Sequence, residues 1–113
     1  MKRQYETQQN CPIARSLDLV GDRWTILVLR DLHRGSSRFA DLLRSLEGIS
    51  PNLLSARLKT LEHEGLVERR LYSEHPPRAE YVLTECGQAF GPVLRAMYDW
   101  GVEYRDQSVE STA

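Results

Sequence analysis

The sequence predicts an α+β domain, mainly helical with one small β-hairpin, and three observations carry that prediction. The first is Ser50–Gly65, a stretch that holds its own helix start and stop signals. The second lies just upstream: a short apolar helix, Asp41–Leu46, and the three-residue turn Glu47-Gly48-Ile49. The third lies downstream: two strand-like runs around a loop with adjacent prolines, then a long helix with an aromatic stripe. A short helix, a tight turn, a capped second helix and a hairpin together make a winged helix-turn-helix.

Residues 1–10 are polar and read as a flexible arm, in which Tyr5 can pack on a partner subunit. Cys11-Pro12 opens the first helix. Proline suits the first helical position, where its missing N–H would be unpaired anyway, and Cys11 is then the N-cap. Ile13, Leu17 and Val20 form the apolar stripe of this helix. Gly21-Asp22 is a break, and Asp22 or Thr25 can cap the next helix. Trp24–Arg34 is nearly all apolar through its first half, which marks a central helix, and Gly35 ends it. Ser36–Phe39 is a short extended link. In Asp41–Leu46, Leu42, Leu43 and Leu46 are apolar, and Asp41 suits the positive end of the helix dipole.

In the Ser50 helix, Pro51 takes the first turn and Ser50 can accept from an orphan amide. Gly65 can adopt the left-handed conformation that ends a helix. Leu54, Leu58 and Leu61 recur at helical spacing, with Leu53 at the edge of the same face. Asn52, Ser55, Ala56 and Lys59 lie opposite and include no acid. Leu66–Tyr72 and Glu80–Leu83 read as strands, and the Ser73–Arg78 loop between them gives the wing a long tip. Thr84 caps the last helix, which runs to about Arg105. Phe90, Val93, Leu94, Met97, Trp100, Gly101 and Tyr104 form its stripe. Such a stripe is either intramolecular core or a dimer surface, and it is large for so small a domain. The domain spans 11–106, and 107–113 is a tail.

Hydrophobic residues make up 41% of 113 positions, enough for one core. The formal net charge of −1 does not announce a nucleic-acid binder. Its distribution says more: residues 1–78 hold 13 Lys/Arg against 10 Asp/Glu, whereas 79–113 hold 2 against 6. DNA would repel that acidic end, which suits another job such as dimer contact. Two cysteines far apart suggest no disulfide framework. No run is long and apolar enough for a membrane span and no signal peptide is evident, so a cytoplasmic protein is expected.

Catalysis, a metal site and a cofactor are not expected. His33, His63 and His75 are scattered. His63-Glu64 begins like a zinc-protease motif, but Val67 stands where the second His is needed. There is no Gly-rich phosphate loop and no nucleophile elbow.

These residues resemble the HxlR family of bacterial winged helix-turn-helix regulators. The motifs are Cys11-Pro12-Ile13-Ala14, Gly21-Asp22-Arg23-Trp24-Thr25, Arg38-Phe39, Gly48-Ile49-Ser50-Pro51 with Leu54, Arg57-Leu58, Leu61-Glu62 and Gly65-Leu66-Val67. Pro76-Pro77-Arg78, Glu80-Tyr81, Leu83-Thr84 and Trp100 complete the set. They cover about Cys11–Gly101 in order. Ala40 departs from the pattern, since such regulators often have a small capping hydroxyl there, which weakens the expected cap of the short helix. The resemblance implies a homodimeric transcription factor, usually a repressor and sometimes an activator, dimerising through the first and last helices. That places Ile13, Leu17, Val93, Met97, Trp100 and Tyr104 at the expected interface. It also implies that the N-terminal cysteine senses oxidants or electrophiles in some members.

Residue by residue, Asn52, Ser55 and Lys59 are candidate contacts to bases or phosphate, or else a solvated helix face. Ser50 joins them at the helix start. Arg57 bridges a phosphate or pairs with a local acid such as Glu62. Arg78, in the stiffened wing, suits a narrow minor groove or pairs with Glu80 or Glu74. Arg38 is a phosphate candidate. Arg69 and Arg70 point to opposite faces of a strand, so at most one serves DNA. A thiol at the N-cap, as at Cys11, meets unpaired amides and the positive end of the dipole, which promotes reactivity. Lys2, Arg3 and Arg15 add to this if the arm folds back. The alternative is a cysteine used for capping and packing, and Cys86 has a weaker version of the same argument.

The expected partners are double-stranded DNA and a second copy of the chain. Two recognition helices would enter successive major grooves of a pseudo-palindromic operator, with half-sites about 34 Å apart. A winged-helix protein-interaction module is the rival, favoured by the mild net charge. A third possibility is a regulator gated by a small apolar effector among Trp24, Tyr98 and Trp100 at the dimer interface.

Overall fold

The computed structural model describes residues 10–105. Most of the expected arm, with Lys2, Arg3 and Tyr5, and the whole of the tail lie outside the described residues. The elements run α1 (Pro12–Val20), α2 (Thr25–His33), α3 (Phe39–Ser45), α4 (Pro51–His63), β1 (Val67–Glu74), β2 (Pro77–Leu83), α5 (Glu85–Gln88) and α6 (Gly91–Arg105). The core gathers one face from each of α2, α3 and α4. Val28, Leu29, Leu42, Leu54, Leu58 and Leu61 are wholly buried, and Leu46, Ile49, Leu66 and Val67 close it from the turns and the wing.

Local signals set several boundaries. The Ser50 hydroxyl accepts from the Leu53 amide at 3.1 Å, with Pro51 behind it, so α4 starts where the cap and the proline agree. Gly48, in the turn before α4, and Gly65, just past its end, have φ of +97° and +85°. Both need the left-handed region that a Cβ disfavours. The Asp22 carboxylate accepts from the Trp24 and Thr25 amides at 2.9 and 3.1 Å and from the Thr25 hydroxyl, capping α2 from three residues upstream.

Several expectations need correction. The short helix begins at Phe39, not Asp41. Arg38 pairs across to Glu80 in an isolated bridge and the Tyr81 amide donates to the Ser37 carbonyl at 2.7 Å, so the extended link stops at the wing's edge. Ala40 is therefore inside the first turn, and Arg38 is the N-cap. The wing tip is short, because β1 extends to Glu74 and β2 begins at Pro77. The strands pair antiparallel from Val67–Leu83 to Glu74–Pro77, with an irregularity between Leu71 and Ser73, and only the cis-linked His75-Pro76 lies between them. Pro77 is tolerated because it starts its strand.

The last helix is two helices. Thr84 caps the short α5, its hydroxyl accepting from the Gly87 amide at 3.1 Å. The chain then turns at Ala89-Phe90 and restarts at Gly91-Pro92, since Pro92 has no N–H to give a continuous helix. The aromatic stripe divides as well. Phe90 and Leu94 pack on the core, while Val93, Met97, Trp100 and Tyr104 are exposed. Among the described residues, no helix is long and apolar enough to cross a membrane.

Candidate nucleic-acid interface

The site begins with the two sides of α4. Leu54, Leu58 and Leu61 hold it to the core, all at 0% exposure. On the other side Asn52, Ala56 and Lys59 are exposed and Ser55 is half-buried. Asn52 and Lys59 are seven residues apart, two helical turns, so they stand on one line along the helix. Neither side chain makes a hydrogen bond or ion pair with the rest of the described chain. The first acid on α4 is Glu62, near its end. A face this long, short-chained and free of carboxylate fits the width of a major groove. Ser50 is exposed, and its oxygen is engaged as the cap.

Two further cations are candidates for DNA contact. Arg38 lays its guanidinium over the Tyr72 ring, 4.5 Å from the centroid, so strand β1 orients it. Arg78 is exposed near the wing tip, opposite Ser73, and forms no ion pair with Glu74 or Glu80. Arg70 pairs with Glu68 at 2.7 Å, and Arg69 forms no ion pair among the described residues.

Arg57 sits differently. Its guanidinium turns away from Glu62 towards Asp22, 3.9 Å away, and only 28% of its side chain is exposed. Its Nε is buried without a hydrogen-bond partner. Burial pushes the Asp22 carboxyl up, but the hydrogen bonds from the Thr25 side chain and the Trp24 and Thr25 amides, together with the Arg57 charge, outweigh it. Asp22 is therefore held below the usual carboxylate range and keeps its charge. It joins α4 to the corner between α1 and α2. The Asp22–Thr25 spacing signalled a cap, but nothing local in the sequence signalled an ion pair spanning 35 positions.

Cys11 is half-buried at the N-cap of α1 with extended backbone, and its carbonyl accepts from the Arg15 amide at 3.0 Å. The thiol itself makes no capping bond, which removes the capping role as its explanation. Cys86 is exposed on α5. Ile13 and Leu17 are exposed on α1, close to Cys11 in sequence. Among the described residues, Trp24, Tyr98 and Trp100 have different neighbours. Trp24 reaches Gly48, Tyr98 lines a groove between α2 and α6, and Trp100 packs on Tyr104 with ring centroids 5.8 Å apart.

Comparison with known proteins gives this geometry a setting. The model of the HxlR-like helix-turn-helix family matches residues 19–109. An uncharacterised HTH-type transcriptional regulator of Synechocystis sp. is 44% identical over 103 residues, 91% of this chain and 76% of that protein. Among solved structures, the redox regulator HypR in its reduced form superposes with a TM-score of 0.79 at 34% identity, covering 89% of this chain and 99% of that one. The reduced form of the transcriptional regulator YodB from Bacillus subtilis superposes at 0.71 and 35% identity, covering 86% and 96%. With its capped α4 helix, its two-stranded wing and a family match over most of its length, the chain belongs to the HxlR-like helix-turn-helix family of transcriptional regulators.

Proposed function

We propose that this protein is a homodimeric, sequence-specific DNA-binding regulator that acts as a repressor in the cytoplasm. The observation that carries the reading is the division of α4 between a fully buried leucine row and an exposed, acid-free row of Asn52, Ala56 and Lys59. Asn52, Ser55 and Lys59 enter the major groove, with Asn52 suited to adenine and Lys59 to guanine or phosphate. Ser50 and Arg38 meet the backbone at the helix entrance, and Arg78 reaches the adjacent minor groove. Arg57 contributes a phosphate contact from its free edge while Asp22 holds the other.

Dimerisation is supported by apolar side chains left bare on α1 and α6. Ile13 is 72% exposed, Trp100 60% and Tyr104 65%, with Leu17, Val93 and Met97 alongside. Monomeric domains seldom leave such a patch uncovered. Cys11 begins the first of these two helices. Its oxidation or alkylation would alter the interface and so the spacing of the two α4 helices. The likeness to the redox regulator HypR favours that reading of the signal.

The test is fluorescence anisotropy of labelled duplex from DNA flanking the protein's own gene, with excess non-specific competitor and a salt series. Cationic phosphate contacts from Arg38, Arg57 and Lys59, about three per protomer and six per dimer, predict a log–log salt slope of about −5. Competitor-sensitive binding, or none, would refute sequence-specific recognition and favour a docking module.

A further inference from the structure

We infer that the groove between α2 and α6 is a binding site for a small organic anion with an apolar body. The groove is an open surface concavity of about 490 Å3, and Arg30, His33, Arg34, Leu94, Arg95 and Tyr98 form most of its walls. That volume falls in the range of small-molecule sites. Three of these side chains are arginines, and among the described residues no carboxylate lines the groove. Arg95 is one of two basic residues in 79–113, against six acids. Positive charge is thus gathered here on an otherwise acidic stretch.

The neighbouring acids leave the binding edges open. Arg30 donates from Nε to Asp31 at 2.9 Å, and Arg95 Nε lies 3.2 Å from Asp99. Arg95 also lies over the Tyr98 ring, 5.9 Å from its centroid, but the terminal nitrogens of both guanidiniums form no side-chain hydrogen bond, and Arg34 forms no ion pair among the described residues. That free fork is the part of arginine that grips carboxylate or phosphate oxygens in pairs. His33 Nδ1 donates to the Leu29 carbonyl at 2.8 Å, since a carbonyl only accepts. Its Nε2 then faces the first residue of α6, where a Cβ on Gly91 would stand 3.5 Å away. The start of this 15-residue helix adds the positive end of its dipole. Leu94 and Tyr98 supply an apolar wall for the rest of the ligand.

The groove stays open in the proposed dimer. At about 100° per residue, Val93, Met97, Trp100 and Tyr104 centre roughly 140° around α6 from Gly91, Leu94, Arg95 and Tyr98. No lining residue comes from α3, α4 or the wing, so a small molecule suits it better than a DNA backbone.

The test uses no DNA, so its outcome is independent of the DNA-binding reading. The full chain is titrated with benzoate and with benzamide, which keeps the ring and lacks the charge, while amide and arginine Nε NMR shifts are followed. Benzoate is expected to shift residues 91–98 and Arg30 saturably, and benzamide to bind about tenfold more weakly or less. Arg34→Ala and Arg95→Ala, both at exposed positions, should each weaken benzoate about tenfold with unchanged melting. Equal affinity for the two probes, saturable shifts elsewhere, no saturable shift with benzoate, or full affinity in both variants would overturn the proposal.

Discussion

Trp100→Ala should dissociate the proposed dimer without unfolding the protomer. Trp100 is 60% exposed in the single chain, and its ring contact there is with Tyr104. A tryptophan presents up to about 250 Å2, so about 150 Å2 is available to a partner. Alanine retains part of that, leaving a loss of roughly 100 Å2. At about 25 cal/mol per Å2 this is about 2.5 kcal/mol per protomer. A two-fold interface carries the change twice, about 5 kcal/mol in all, or more than three decades in the dimer Kd. Incomplete burial halves the free energy and still leaves about a hundredfold. Sedimentation velocity over a concentration series measures Kd, and circular dichroism checks that the helices persist. A Kd within about threefold of wild type would refute the assignment of α6 to the interface.

Asp22 and Cys11 carry separate predictions. Asp22→Ala should lower stability at neutral pH by about 1–2 kcal/mol, through loss of the α2 cap and of the Arg57 pair. The folded carboxyl titrates below its unfolded value, so its contribution is complete above about pH 4 and fades as pH falls through the folded pKa. Denaturant unfolding across pH should therefore find the gap between variant and wild type closing in acid, and a gap that widens there would reject the role given to Asp22. Diamide should change operator affinity of the wild type and leave Cys11→Ser unaffected in an anisotropy assay. An identical diamide response in both proteins would place the sensor elsewhere or nowhere.

What the sequence made legible was local. The Ser50–Pro51 start, the left-handed Gly65 and the leucine spacing of α4 each depend on residues within a turn or two of one another, and the structure has them as expected. The exposed, acid-free face of α4 came with them, since fixing which side of the helix is buried fixes which side is free. What was illegible depended on partners distant in sequence. Arg57 finds Asp22 across the fold, Arg38 finds Tyr72, and the Arg38–Glu80 bridge starts α3 two residues early. The wing tip misled because adjacent prolines usually mark a loop, whereas Pro77 here opens a strand. Periodicity carried the last helix through Phe90 although Pro92 marked the restart.

The central claim is that the exposed face of α4 reads sequence, and the most direct measurement is the affinity of the Asn52→Ala/Lys59→Ala variant for operator and for random duplex. Both side chains are exposed and without partners in the described chain, so the fold should be intact. A good base contact contributes about 1–3 kcal/mol and the dimer makes each one twice, so operator affinity should fall about a hundredfold or more. Random duplex should lose far less. Unchanged operator affinity in a folded variant would contradict the claim.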